Sequence, residues 1–184
     1  MEYAEEWNLK EKTEENKAFE ENKIIDWFIE ICEGIKYIHN KKIIHRDLKL
    51  NNIFLTKDNH IKIGDFGISK ILYNKSQSTS FYLSPEIING QSYDYKSDIW
   101  NLGIILYQLT QLKHPFIDDN IDKRMNNIKK GKYSDFVNKN YSERLLNLIK
   151  NILKVNPNER LSIDEIIDEC YLIKIKNISK FKRE

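Results

Sequence analysis

Ile43-Ile44-His45-Arg46-Asp47-Leu48-Lys49-Leu50-Asn51-Asn52-Ile53-Phe54-Leu55, followed by Ile61-Lys62-Ile63-Gly64-Asp65-Phe66-Gly67, is the stretch of this 184-residue chain from which the rest is read. The runs 43–44, 53–55 and 61–63 are short and β-prone, and Lys57-Asp58-Asn59-His60 supplies a turn between the last two. Polar and charged residues crowd between them, at 45–52 and 64–67. Apolar strands that present charged loops are a common way to hold reactive groups on a rigid support. Two acids (Asp47 and Asp65), a lysine (Lys49) and an asparagine (Asn52) converge here from both sides of one hairpin. A solvated polar loop with a surface ion pair does not account for that convergence.

Upstream, Ile24, Phe28, Ile31, Ile35 and Ile38 recur at helical spacing, and Trp27 and Cys32 widen the stripe into a face that must be buried. That helix is expected to end near Asn40. Gly34 within it costs about 1 kcal/mol against alanine, which suggests a close packing neighbour. Residues 5–22 read as a short exposed helix or an irregular connection. Downstream, the stretch from Ser97 is apolar almost all round and predicts a central, fully buried helix, so Asp98 at its start stands out. Helical periods return at 121–130, 145–153 and 163–171, the last opened by a capping box of Ser162 with Glu165. No repeat or low-complexity block interrupts this order. The fold class is therefore α+β, mainly α: a small β-hairpin region followed by a helical bundle.

Composition sets limits around this reading. The length suits one domain or a little more, and 40% apolar with 32% charged residues fits a globular chain. No stretch approaches the 18 to 20 apolar residues of a membrane span, and the acidic first residues are unlike a signal peptide. An intracellular place, cytoplasmic or nuclear, is expected. Cys32 and Cys170, far apart in helical stretches, are expected as buried thiols rather than as a disulfide framework or a zinc site. With a net charge of +2 there is no global basic field for nucleic acid. The charge is uneven, however: residues 1–30 carry ten acids against four lysines, and residues 171–184 five bases against one acid. That basic end reads as solvated surface, with neither a nucleic-acid nor a membrane partner expected.

His45 to Asn52 fits the pattern H-R-D-L-x-x-x-N, and Asp65-Phe66-Gly67 begins thirteen residues after Asn52, across the hairpin. On these residues the chain resembles the eukaryotic protein kinases. Ser84-Pro85-Glu86 looks like the element that closes the family's activation segment, and Asp98 with Trp100 matches its central helix. Arg160 matches the arginine that pairs with that segment's glutamate, and Met1-Glu2-Tyr3-Ala4 matches the hinge. Asn52-Ile53-Phe54-Leu55-Thr56, Tyr82-Leu83-Ser84-Pro85-Glu86-Ile87 and Leu112-Lys113-His114-Pro115-Phe116 look most like the NIMA-related group. The likeness runs from Met1 to about Tyr171.

The resemblance implies a serine/threonine kinase that uses ATP and Mg²⁺ on a protein substrate. Asp47 would orient and deprotonate the substrate hydroxyl, Lys49 would face the transferring phosphate, and Asn52 and Asp65 would hold the metal. The backbone of Glu2 and Ala4 would meet the adenine edge, Phe54 would lie beneath the ring, and Asn8 would stand near the ribose. His45 and Arg46 belong to the loop's scaffold, and Asp98 would hold its backbone N–H groups. Ser76, Ser78, Thr79 and Glu86 belong to the activation segment. Ser76 and Ser78 are its phosphorylation candidates, with Arg46 as a phosphate partner, and Thr79 would bond Asp47 and Lys49.

The chain departs from the family at its front. Its six glycines include no glycine-rich loop, and no strand lysine precedes residue 45. The resemblance therefore implies a C-terminal lobe alone over residues 1–172, with 173–184 as a basic tail. A truncated product is the expectation, because a lobe kept only for binding would not need Asp47, Lys49, Asn52 and Asp65. A non-catalytic kinase-like binding module is the alternative. A small-molecule phosphotransferase is argued against by Ser84-Pro85-Glu86 and Arg160. Residues 65–86 are 22 in number, several fewer than is usual in the NIMA-related group. Ser78-Thr79-Ser80 stands where Gly-Thr-Pro is expected, and Lys75 where that group usually has a threonine. Trp7-Asn8 replaces a Gly-Asp pair, which puts the sugar contacts in question.

Overall fold

A computed structural model describes residues 7–64, 79–138 and 140–181. The hairpin forms as read. Strand β1 (Ile53–Leu55) pairs antiparallel with β2 (Ile61–Ile63) in the register Ile53↔Ile63, Phe54↔Lys62, Leu55↔Ile61. Ile53 and Leu55 point into the core, and Phe54 faces the other way, half-buried. On the far side of β1, Leu55 N donates to Trp7 O and Asn8 bridges Phe54, so the chain entering the first helix adds a short third edge. Residues 43–44 are not a strand. The backbone N–H groups of the next two residues, His45 and Arg46, are taken by the Asp98 carboxylate instead of a neighbouring strand.

Helix α1 (Leu9–Glu14) is a short capped turn with Leu9 and Thr13 buried, so the stretch read as an exposed helix or a connection is anchored. Helix α2 (Glu21–Asn40) buries Ile24, Phe28, Ile31 and Ile35 as the stripe requires. A Cβ on Gly34 would come 2.7 Å from Ile63 Cδ1, so the close neighbour implied by that glycine is β2. The hairpin is also tied to α2 by polar bonds, Ile61 N to Glu30 Oε2 at 2.7 Å and Trp27 Nε1 to Asn59 O at 3.3 Å.

A four-residue helix α3 (Pro85–Ile88) precedes α4 (Tyr95–Gln111), the buried axis of the molecule. Asp94 caps α4 by accepting from Lys96 N and Ser97 N. Every residue from 97 to 111 is buried, Asp98 included. Helices α5 (Ile121–Lys129), α6 (Glu143–Ile152) and α7 (Ile163–Phe181) complete the bundle. Helix α7 lies antiparallel to α2, with ion pairs Lys36–Asp164 and Lys174–Asp26 at 2.8 and 2.6 Å towards opposite ends of the contact. The Ser162–Glu165 box opens it, and it continues ten residues beyond Tyr171, through most of the stretch read as a basic tail. Cys32 and Cys170 are buried and unbridged. No helix among the described residues is long and apolar enough to cross a membrane.

Gly103 sets the spacing between α4 and the end of α6. A Cβ there would lie 2.7 Å from Ile152 Cγ2 and 2.8 Å from Leu153 Cδ2. Gly103→Val is expected to destabilise the chain by about 1–3 kcal/mol through overpacking, despite removing a helical glycine. A urea midpoint equal to that of the wild type would contradict this.

Candidate active site

The loop 45–52 hangs from the first turn of α4. Asp98 Oδ2 accepts from His45 N at 2.9 Å, and Oδ1 accepts from Arg46 N at 3.0 Å. A buried carboxylate is tolerated because it is hydrogen-bonded on both oxygens. This anchor holds Arg46 at a φ of +68°, a left-handed conformation that a non-glycine residue adopts at some cost. A third donor reaches the same carboxylate: His39 Nε2 lies 2.8 Å from Asp98 Oδ2, and its ring packs on Tyr95 at 4.7 Å. His39 escaped the sequence reading. It sits next to the last apolar residue of the α2 stripe, where nothing in the spacing distinguishes it from a solvated helix end.

His45 links the two halves of the loop system. Its Nε2 donates to Gly64 O at 3.2 Å, while Nδ1 accepts from Asp47 N at 3.4 Å. Burial pushes its pKa down, against the opposing charge of Asp98, so the ring is held neutral and serves as donor on one nitrogen and acceptor on the other.

Asp47, Lys49 and Asn52 come together. Lys49 Nζ donates to both Asp47 carboxylate oxygens, at 3.1 and 2.8 Å. The buried amide of Asn52 donates to Asp47 O at 2.8 Å and to Asp47 Oδ2 at 3.0 Å. Asp47 thus presents a carboxylate that is oriented by two donors and still partly exposed, and Lys49 brings a cation to the same point. Asn52 Nδ2 is committed to Asp47, which leaves Oδ1 as the atom Asn52 offers a cation. An amide oxygen beside carboxylates is the hard donor set that Mg²⁺ takes. Gly64, the neighbour of Asp65 in the chain, donates its N–H to Asn52 O at 2.8 Å. Among the described residues, no cluster of three His, Cys, Asp or Glu forms a separate metal site.

Phe54 lies over the backbone of Gly64, where a Cβ would come within 2.6 Å of its ring. Asn8 caps α1, accepting from Glu11 N at 3.0 Å, while Glu11 Oε2 accepts from Asn8 N at 3.1 Å. Its side-chain oxygen is therefore engaged locally. Thr79 opens a 3-10 turn, Thr79–Tyr82. Glu2, Ala4, Asp65, Ser76 and Ser78 lie outside the described residues.

Behind the loop, Glu86 and Arg160 form a bidentate pair. Arg160 Nη1 and Nη2 donate to Glu86 Oε1 and Oε2 at 2.9 and 2.7 Å. The remaining guanidinium donors reach Lys96 O, Val155 O and Lys154 O. Ser97 Oγ adds a bond to Glu86 Oε1 at 2.9 Å, so both charges are fully satisfied although both are buried.

Comparison with known proteins gives this arrangement a class: residues 1–172 match the protein kinase domain family, and the chain belongs to that family. It is 43% identical over 182 residues to the probable serine/threonine-protein kinase nek3 of Dictyostelium discoideum, covering 91% of this chain and 16% of that protein. It is 39% identical over 189 residues to mouse serine/threonine-protein kinase Nek1, covering 98% of this chain and 16% of that one. With human serine/threonine-protein kinase Nek5 the identity is 38% over 181 residues, covering 94% and 25%. The chain thus spans between about a sixth and a quarter of the length of these relatives.

Proposed function

We propose that residues 1–172 are the C-terminal lobe of a serine/threonine protein kinase that moves the γ-phosphate of ATP to serine or threonine hydroxyls of a protein. One observation carries this reading: the Asp47 carboxylate, oriented by Lys49 and Asn52, on a loop hung from buried Asp98. Asp47 accepts the proton of the substrate hydroxyl as its oxygen bonds the γ-phosphorus and the bond from that phosphorus to the β–γ bridging oxygen breaks, releasing ADP. Lys49, which neutralises Asp47 at rest, lends its charge to the transferring phosphate. Asn52 through Oδ1 and Asp65 through its carboxylate are the residues that would hold Mg²⁺, which when bound neutralises the charge of the phosphates.

Phe54 supports the adenine from below, Glu2 and Ala4 meet its edge, and Asn8 stands at the ribose. Thr79 bonds the Asp47–Lys49 pair, and phosphorylation of Ser76 or Ser78 gives Arg46 a charge partner. The protein works inside the cell, cytoplasmic or nuclear.

Catalysis of this kind is almost entirely positioning and charge neutralisation. Residues 1–184 contain no glycine-rich loop and no strand lysine for the phosphates, so by themselves they do not turn over. The test compares the 184-residue chain with the same chain joined to the N-terminal lobe of mouse Nek1. The joined protein is expected to phosphorylate a serine- or threonine-containing protein in the presence of ATP and Mg²⁺. The 184-residue chain is expected to show no autophosphorylation and no saturable ATP binding by calorimetry. An inactive joined protein would leave the binding-module reading in its place, and Asp47-dependent turnover by residues 1–184 alone would refute the need for an N-terminal lobe.

A further inference from the structure

Among the described residues the buried arginines are Arg124 and Arg160. Arg160 pairs with Glu86, and Arg124 lies on α5. Its guanidinium carbon lies over the Phe81 ring, 3.7 Å from the centroid, a cation–π contact. Nε and Nη2 hold the guanidinium in place by donating to Asp118 O at 3.2 and 2.7 Å. On another side Phe81 meets the His114 ring edge-on at 5.1 Å, and His114 also meets Tyr82 at 5.4 Å. Burial pushes His114 down to about 4, and the Arg124 charge acts in the same direction, so a neutral ring stands beside the cation.

Phe81 and Tyr82 are the last residues of the 3-10 turn that starts at Thr79. Tyr82 donates to Gln108 Oε1 at 2.6 Å, and it lies close enough to the loop to bond the backbone of Leu50 and to feel the charge of Asp47. The end of the turn therefore borders the loop that carries Asp47. A chain that delivers a hydroxyl to Asp47 has to pass over this border. A planar cation is justified where one aromatic face has to be held in a single orientation.

We propose that Arg124 is a positioning residue for the protein substrate, stacking on Phe81 to hold the Thr79–Tyr82 turn against the catalytic loop. The inference rests on the kinase reading for its consequence, but not for the coupling itself, and the two are tested apart. By hydrogen exchange on the 184-residue chain, Arg124→Leu raises exchange at the amides of residues 81–83 by about tenfold, while α4 and α6 are unchanged. Phe81→Leu gives the same increase, and the double variant adds nothing further.

In the protein joined to the mouse Nek1 lobe, Arg124→Leu raises the peptide KM about tenfold while kcat and the KM for ATP stay within about twofold. Arg124→Lys keeps the charge but cannot lie flat, and it restores only part of the peptide affinity. Unchanged exchange at 81–83, a rise spread evenly through α4, or equal losses in kcat and both KM values would each overturn the proposal. If the joined wild type transfers no phosphate, the kinase reading falls, and the exchange result alone decides the coupling.

Discussion

Asp47→Asn is expected to lower phosphotransfer by about 10²–10⁴-fold in the protein joined to an N-terminal lobe, with little change in folding. The substitution keeps the side-chain shape but removes the proton acceptor. It also replaces one carboxylate oxygen with an N–H₂ group facing two donors, Lys49 Nζ and Asn52 Nδ2. Asp47 is partly exposed, so the loss of its pair with Lys49 costs stability little. Radiolabel transfer from ATP above a tenth of the wild-type rate would sink the assignment of Asp47. Asp65→Asn is expected to lower transfer as severely, by weakening a metal ligand.

Removing Arg160 should have the largest effect on stability. Arg160→Ala strands the Glu86 carboxylate in a site where it is 5% exposed, and breaking one partner of a buried pair costs about 3–5 kcal/mol. It also leaves three backbone carbonyls, of Lys96, Val155 and Lys154, without their donor. Burial by itself pushes Glu86 up, but the hydrogen bonds and charge of Arg160 outweigh it and hold the carboxyl below its usual range.

A depressed folded-state pKa means that the stabilisation is complete above the unfolded value, about 4.3, and is lost as pH falls through the folded one. The wild type should therefore lose part of its denaturation midpoint on acidification below about pH 4.3, and Glu86→Gln should show a shallower loss there. An Arg160→Ala midpoint equal to that of the wild type would refute the role given to the pair.

Much of the arrangement was legible because its signals are local. The stripe 24–38 announced α2, and a charge at the head of an apolar helix announced that Asp98 must have donors waiting. The loop residues 45–52 carry their own spacing, which no packing is needed to recognise. His39 and Arg124 were not legible for the opposite reason. Each occupies a helix position that a solvated residue fills equally well, and each gains its meaning from a partner far along the chain, Asp98 for one and Phe81 for the other. Residues 43–44 misled in the same way, since β-prone composition cannot show that the N–H groups following it are already taken by a carboxylate 53 positions away.

Element types, their order and the chemistry on offer were thus set by periodicity and residue kind, which act over one or two turns of chain. Which oxygen meets which donor was settled by packing. Asp98, His39, His45 and Arg46 converge because α2 packs against α4, and Glu86 meets Arg160 across 74 residues in one buried space. A buried charge finds its partner through the burial of apolar faces, and that burial is a property of the assembled core, to which no single segment holds the key.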